Sequence, residues 1–148
     1  MPNYLLGTEA GIYFSTDIDD TPPALGTMTE MTNTTEVTLN LTAGEADVTT
    51  RANNGWRATA ATLREAQADW TMIWKPGDAG FEAVRDTYLA SSEIHLAVLD
   101  QKSNISTAQG LKGNFTITNF TRNEQLEEAL TVSVTAKLSR FDEWTEVA

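Results

Sequence analysis

The residues able to do chemistry are few, and their spacing argues against most of it. The single histidine, His95, lies in an alternating run with Ile94, Leu96 and Val98. No nucleophile or orienting carboxylate stands where it would make His95 a general base, so an ordinary strand histidine is expected. Asp17-Ile18-Asp19-Asp20 resembles the opening of a calcium loop. Pro22, however, stands where that loop needs glycine, and no glutamate closes it. Gly110-Leu111-Lys112-Gly113 is too short for a phosphate cradle, and glycines flanking the start of a strand explain it. Glu124, Glu127 and Glu128 could be acid/base carboxylates, but they read as a hairpin connection rich in glutamate. With no cysteine, disulfides and thiolate metal sites are excluded. The expectation is a protein with no catalytic residues, no metal site and no cofactor.

The elements that would carry any site are mostly strands. Trp70, Met72 and Trp74 share one face at the two-residue period of a strand, which Pro76-Gly77-Asp78 stops. The period then changes: Phe81, Val84 and Tyr88 fall on one face of a helix over about 78–91, with Asp78 placed to cap it. Alternation returns at 93–100. Further strands are read at 11–14, 36–42, 57–63, 110–120 and 130–139, the last with Val132 and Val134 inward, and Met28 and Met31 open a possible further one. Leu5 and Leu6 are expected to pair with the first strand through a turn at Gly7–Gly11. The fold class is therefore mainly β, an antiparallel sandwich or barrel of about seven to eight strands with one flanking helix. The expected core comprises Trp70, Met72, Trp74, Phe81, Val84, Tyr88, Val132 and Val134.

At 148 residues the chain reads as a single domain over 1–148. The stretch 43–55 stands out as long and polar, an irregular loop suited to docking at a subunit interface and ordering there. Its candidate contact residues are Glu45, Asp47, Arg51, Asn53 and the anchor Trp56. The amino terminus lacks a basic stretch followed by a long apolar run, so no signal peptide or membrane anchor is expected, and the expectation is a cytoplasmic product.

Charge adds a second constraint. The net charge is −11, and residues 1–50 hold eight acids without a lysine or arginine. Such a field repels nucleic acid and argues against conventional DNA or RNA binding. It does suit a surface that a polyanion must pass without sticking. Three strands carry polar faces of short side chains: Glu36, Thr38 and Asn40; Thr116 and Thr118; Thr131, Ser133 and Thr135. They are either solvent-facing sheet, where threonine is at home, or the wall of a water-filled channel.

The order of these features resembles a known family. An acidic amino-terminal region is followed by EVTLNLTAGEADVTTRANNGWRATAATLREAQADWTMIW, then GDAGFEAVRDTYL, IHLAVLD and LKGNFTITNFTRNEQLEEALTVSVTAKL. In layout and phrasing, across nearly the whole chain, this resembles the major tail tube proteins of tailed bacteriophages and prophage-derived particles. The resemblance implies a self-assembling structural subunit, without catalysis or cofactor, whose hexameric rings stack into a hollow conduit for DNA. It implies the same chain as main partner, with tape-measure, tail-tip and tail-terminator proteins besides, and transient, non-specific passage of DNA. The implied location is the virion tail, assembled in the bacterial cytoplasm. A tail terminator or connector forming one ring is the neighbouring alternative. A carbohydrate-binding β-module, with Trp70 and Trp74 as stacking platforms, is the alternative from another class.

Overall fold

The computed structural model describes Gly7 and residues 10–18 and 23–147. These form seven strands and one α-helix: β1 (Gly11–Ser15), β2 (Thr29–Glu30), β3 (Thr34–Asp47), β4 (Thr59–Ile73), α1 (Ala79–Leu89), β5 (Glu93–Leu99), β6 (Gln109–Asn123) and β7 (Thr131–Glu146). The strands make a single sheet in the order β2-β1-β5-β6-β7-β4-β3, antiparallel at every junction. Its two edge strands, β2 and β3, are consecutive in the chain and joined by only residues 31–33. Three residues span about 10 Å at most, so the sheet curls until its edges approach. Asn33 ties the crossing to β4, its carbonyl accepting from the Ile73 N–H at 3.1 Å and its side-chain amide donating to the Ile73 carbonyl at 3.0 Å. The arrangement is the expected antiparallel β fold, one open sheet with one flanking helix.

Helix α1 forms where the period changes. Asp78 caps it, accepting from the Phe81 N–H at 3.1 Å, and Glu82 accepts from the Gly77 N–H at 3.2 Å. Phe81 and Val84 are completely buried, with α1 lying mainly against β6 and β5, and they share one core cluster with Trp70, Met72, Val132 and Val134. Trp74 is half-buried at the rim, edge-on to Phe81 at 4.7 Å between ring centroids. Tyr88 departs from the expected core: it is 42% exposed and stacks on Phe120 at 5.9 Å. In the last turn of the helix Thr87 is the buried residue.

Three further expectations change. The irregular stretch read at 43–55 shifts: β3 runs on to Asp47 and pairs with β4 as far as Thr59, and residues 48–58 form the connection. The strands read separately at 57–63 and 68–75 are one continuous strand. Strand β7 continues well past 139, to Glu146. β1 takes β2 and β5 as partners, whereas Leu5, Leu6 and the aspartates at 19 and 20 lie outside the described residues.

Candidate functional site

Register, rather than a pocket, assembles the candidate site. Cross-strand pairing places Glu36, Thr71, Ser133 and Thr121 in one row across β3, β4, β7 and β6. The next row is Thr38, Asp69, Thr135 and Asn119, and the one after is Asn40, Gln67, Lys137 and Thr116. Because side chains alternate across a sheet, all twelve share one face. The intervening residues Val37, Leu39, Ala68, Trp70, Val134 and Ala136 point the other way, into the core. Neighbours on the polar face bond to one another. The Thr135 hydroxyl donates to Asp69 Oδ1 at 2.7 Å, Gln67 Nε2 donates to Asp69 Oδ2 at 2.8 Å, and the Thr121 hydroxyl donates to Asn119 Oδ1 at 2.9 Å.

Of the sequence-predicted polar residues, Glu36, Thr38, Asn40, Thr116, Ser133 and Thr135 are thus brought together. Thr131 lies one step further along β7, opposite Ile73 and Asn123. Thr118 occupies a bulge between Ile117 and Asn119, its hydroxyl donating to the Thr135 carbonyl at 3.3 Å. The sequence reading missed Gln67, Asp69, Thr71, Asn119 and Thr121. Residues 67–72 alternate polar and apolar as cleanly as any strand, so three of these were available to it.

The far end of the same face is closed and carries buried charge. His95 and Asn114 pair across β5 and β6, with His95 Nδ1 2.7 Å from Asn114 Oδ1. An amide oxygen only accepts, so Nδ1 carries the proton and Nε2 is left without a hydrogen-bond partner. Burial holds the imidazole below its ordinary pKa, opposed by the Asn114 hydrogen bond and reinforced by the Lys112 charge. Lys112, also buried, donates to Asp142 Oδ2 at 2.7 Å. A cation and the histidine are therefore sequestered from the open part of the face. The glycines around Lys112 serve packing: a Cβ on Gly110 would strike the Val98 carbonyl, and one on Gly113 would lie 2.6 Å from the Arg140 carbonyl oxygen. Among the described residues no group of acids and histidine could hold a metal ion.

The predicted contact residues lie together on the arm made by β3 and β4. Glu45 and Asp47 are on its outgoing strand, Arg51 and Asn53 in a 3-10 turn at its tip, and Trp56 follows with 78% of its surface exposed. The tip is built by its own bonds. Val48 N–H donates to the Ala58 carbonyl at 3.0 Å, and Ala58 N–H to the Thr49 hydroxyl at 2.8 Å. Asn54 and Gly55 turn the chain with φ of 51° and 83°. Hydrogen bonds from Thr49 hold the Asp47 carboxyl below its usual range.

A helix-backed, curled antiparallel sheet with one polar face and a projecting β-arm defines a class of structural β protein in which the sheet itself is the working surface. The chain belongs to the phage tail tube protein family, whose model matches residues 11–139. Solved structures share the fold. A chain from the tail of an empty GTA (gene transfer agent) particle, refined with C6 symmetry, is 15% identical with a TM-score of 0.73, covering 98% of this chain and 100% of that one. The SPP1 tail tube subunit is 17% identical with a TM-score of 0.74, covering 98% and 80%. A chain of the anti-feeding prophage baseplate is 10% identical with a TM-score of 0.62, covering 98% and 96%. No curated protein matches the sequence.

Proposed function

We propose that this chain is the repeating subunit of a phage-like tail tube. Six copies form a ring, rings stack into a hollow conduit, and DNA passes through it. The four-strand polar face lines the channel, and the β3–β4 arm contacts neighbouring subunits. No catalysis or cofactor enters this function. Tape-measure, tail-tip and terminator proteins are its partners at the ends of the tube, and assembly takes place in the bacterial cytoplasm before the tube becomes part of the virion tail.

The observation that carries the proposal is the polar face itself. Twelve residues in register give a wide, wet surface of short side chains, with Glu36 and Asp69 as acids and Lys137 as the cation. Phosphates sliding past hydroxyls and amides have no strong ion pairs to break, whereas a ring of lysines would hold DNA with salt-sensitive affinity. Even a closed barrel of about eight strands is filled by its own side chains, so this open seven-stranded sheet cannot enclose a channel alone, and one must be built from several copies joined at their free edges. The C6 symmetry of the GTA tail supports six as the number.

Electron microscopy of the purified protein tests the proposal. Long hollow tubes of uniform diameter are expected. Isolated rings would make it a terminator or connector, and dispersed monomers at high concentration would overturn self-assembly.

A further inference from the structure

The β3–β4 arm and the end of β7 are complementary in charge and in exposed apolar surface. Pairing between β4 and β7 ends at Gln67 and Lys137, and beyond it the sheet forks. One prong is β3 with β4, and the other is β6 with β7. From Gln67 back to Thr59 the arm runs on for about 25 Å at the usual rise of a strand. A ribbon of two strands is marginally stable alone in water. This one also exposes Leu41, Val48, Trp56 and Leu63, the last at 84%. Its tip, residues 48–58, holds Arg51 and Arg57 and no acid, in a chain of net charge −11.

The other prong has the opposite character. Phe141 pairs with Gly113 and Trp144 with Leu111, so a bulge at Asp142 brings these two aromatics to the same face. Their partners are buried, yet Phe141 is 57% and Trp144 49% exposed. Glu146, opposite Gln109, shares their face, whereas Glu143 pairs with Lys112 and turns to the other side. Within one chain the fork carries the tip away from this patch, which leaves both surfaces uncovered.

We infer that the arm tip of one copy docks on the Phe141–Trp144 end of β7 in a second copy, with Trp56 against the two aromatics and Arg51 and Arg57 towards Glu146. This rests on the arm's role as a subunit contact, and it names the receiving surface. The two patches differ, so the contact is head-to-tail. Such contacts propagate into rings or open stacks instead of closing as a dimer.

The absence of native cysteine makes a clean test available. Ala52→Cys at the tip and Glu146→Cys on β7 are introduced in separate chains, one carrying a mass tag, then mixed, assembled and oxidised. Mixed disulfide-linked dimers are expected, formed in the assembled state and suppressed in dilute solution. The double reversal Arg51→Glu, Arg57→Glu should raise the concentration needed for assembly about tenfold or more at low salt. Adding Glu146→Arg to the same chain should lower that concentration again. Tubes that form normally while the tip cysteine fails to link to position 146 would overturn the docking site and leave the tube function standing. Unmodified protein that forms no polymer would overturn both.

Discussion

At the scale of single residues, burial separates what holds the subunit together from what faces outward. Phe81 is fully buried between Trp74, Phe120 and the core strands. Phe81→Ala should therefore destabilise the fold by about 3–5 kcal/mol, read as a lower denaturation midpoint. An unchanged midpoint would remove α1 from the core. His95 gives a test by pH. Its folded pKa lies below the ordinary value of 6.5, so the unfolded chain takes up the proton first as pH falls. Stability from this group is present above about pH 6.5 and is lost below it, at up to about 1.4 kcal/mol per pH unit, until the folded imidazole also protonates. His95→Gln should flatten the stability–pH curve between about pH 6.5 and 5.5, above the range where most carboxylates titrate. An unchanged slope in urea denaturation across that window would contradict the buried-neutral assignment. The sequence places His95 correctly in a strand, but its burial beside Lys112 and Asp142 depends on strand register and on a bulge, which local pattern does not encode.

At the scale of elements, alternation was a reliable guide wherever one face of a strand is buried and the other wet. It located the centre of β4, β5, most of β6 and the first half of β7, and the change of period located α1. It failed where both faces are exposed. Residues 43–47 and 59–65 read as loop and short strand because a two-sided ribbon has no inward face to mark with apolar residues. It failed again at the end of β7, where the bulge at Asp142 puts Phe141 and Trp144, three residues apart, on one face. Tyr88 sits at helical spacing from Phe81, yet it stays 42% exposed, stacked on Phe120 of β6. The arm invites a direct prediction. Replacing residues 44–63 by a two-residue Asn-Gly turn, which favours a tight hairpin, should leave the body folded. Its core, from Ile12 to Ala136, draws on nothing within that span. The shortened protein should remain monomeric by sedimentation under conditions that assemble the full chain. Tubes of normal length from it would show that the arm is dispensable.

At the scale of the whole molecule, the distribution of charge ties the fold to the conduit. A net charge of −11 keeps free subunits apart in solution and off nucleic acid. Lys112 is withdrawn into the covered end of the polar face, Arg122 lies over the Trp74 ring at 5.1 Å on the opposite face, and Arg51 and Arg57 sit at the arm tip. Lys137 is the cation among the twelve residues of the open face, whose other side chains are mostly short and hydrated. The sequence showed three polar strand faces and their near lack of cations. Register then joined them through β4 into one wall, which needed the pairing of strands far apart in the chain. The central claim is that this wall faces the channel, and a cryo-electron-microscopy reconstruction of the assembled tube at side-chain resolution tests it most directly. Thr38, Asn40, Asp69, Ser133 and Thr135 should point to the tube axis, with Phe81 and Trp70 on the side away from it. A reconstruction with α1 toward the axis, or with those five residues buried between subunits or turned to the outer surface, would contradict the account.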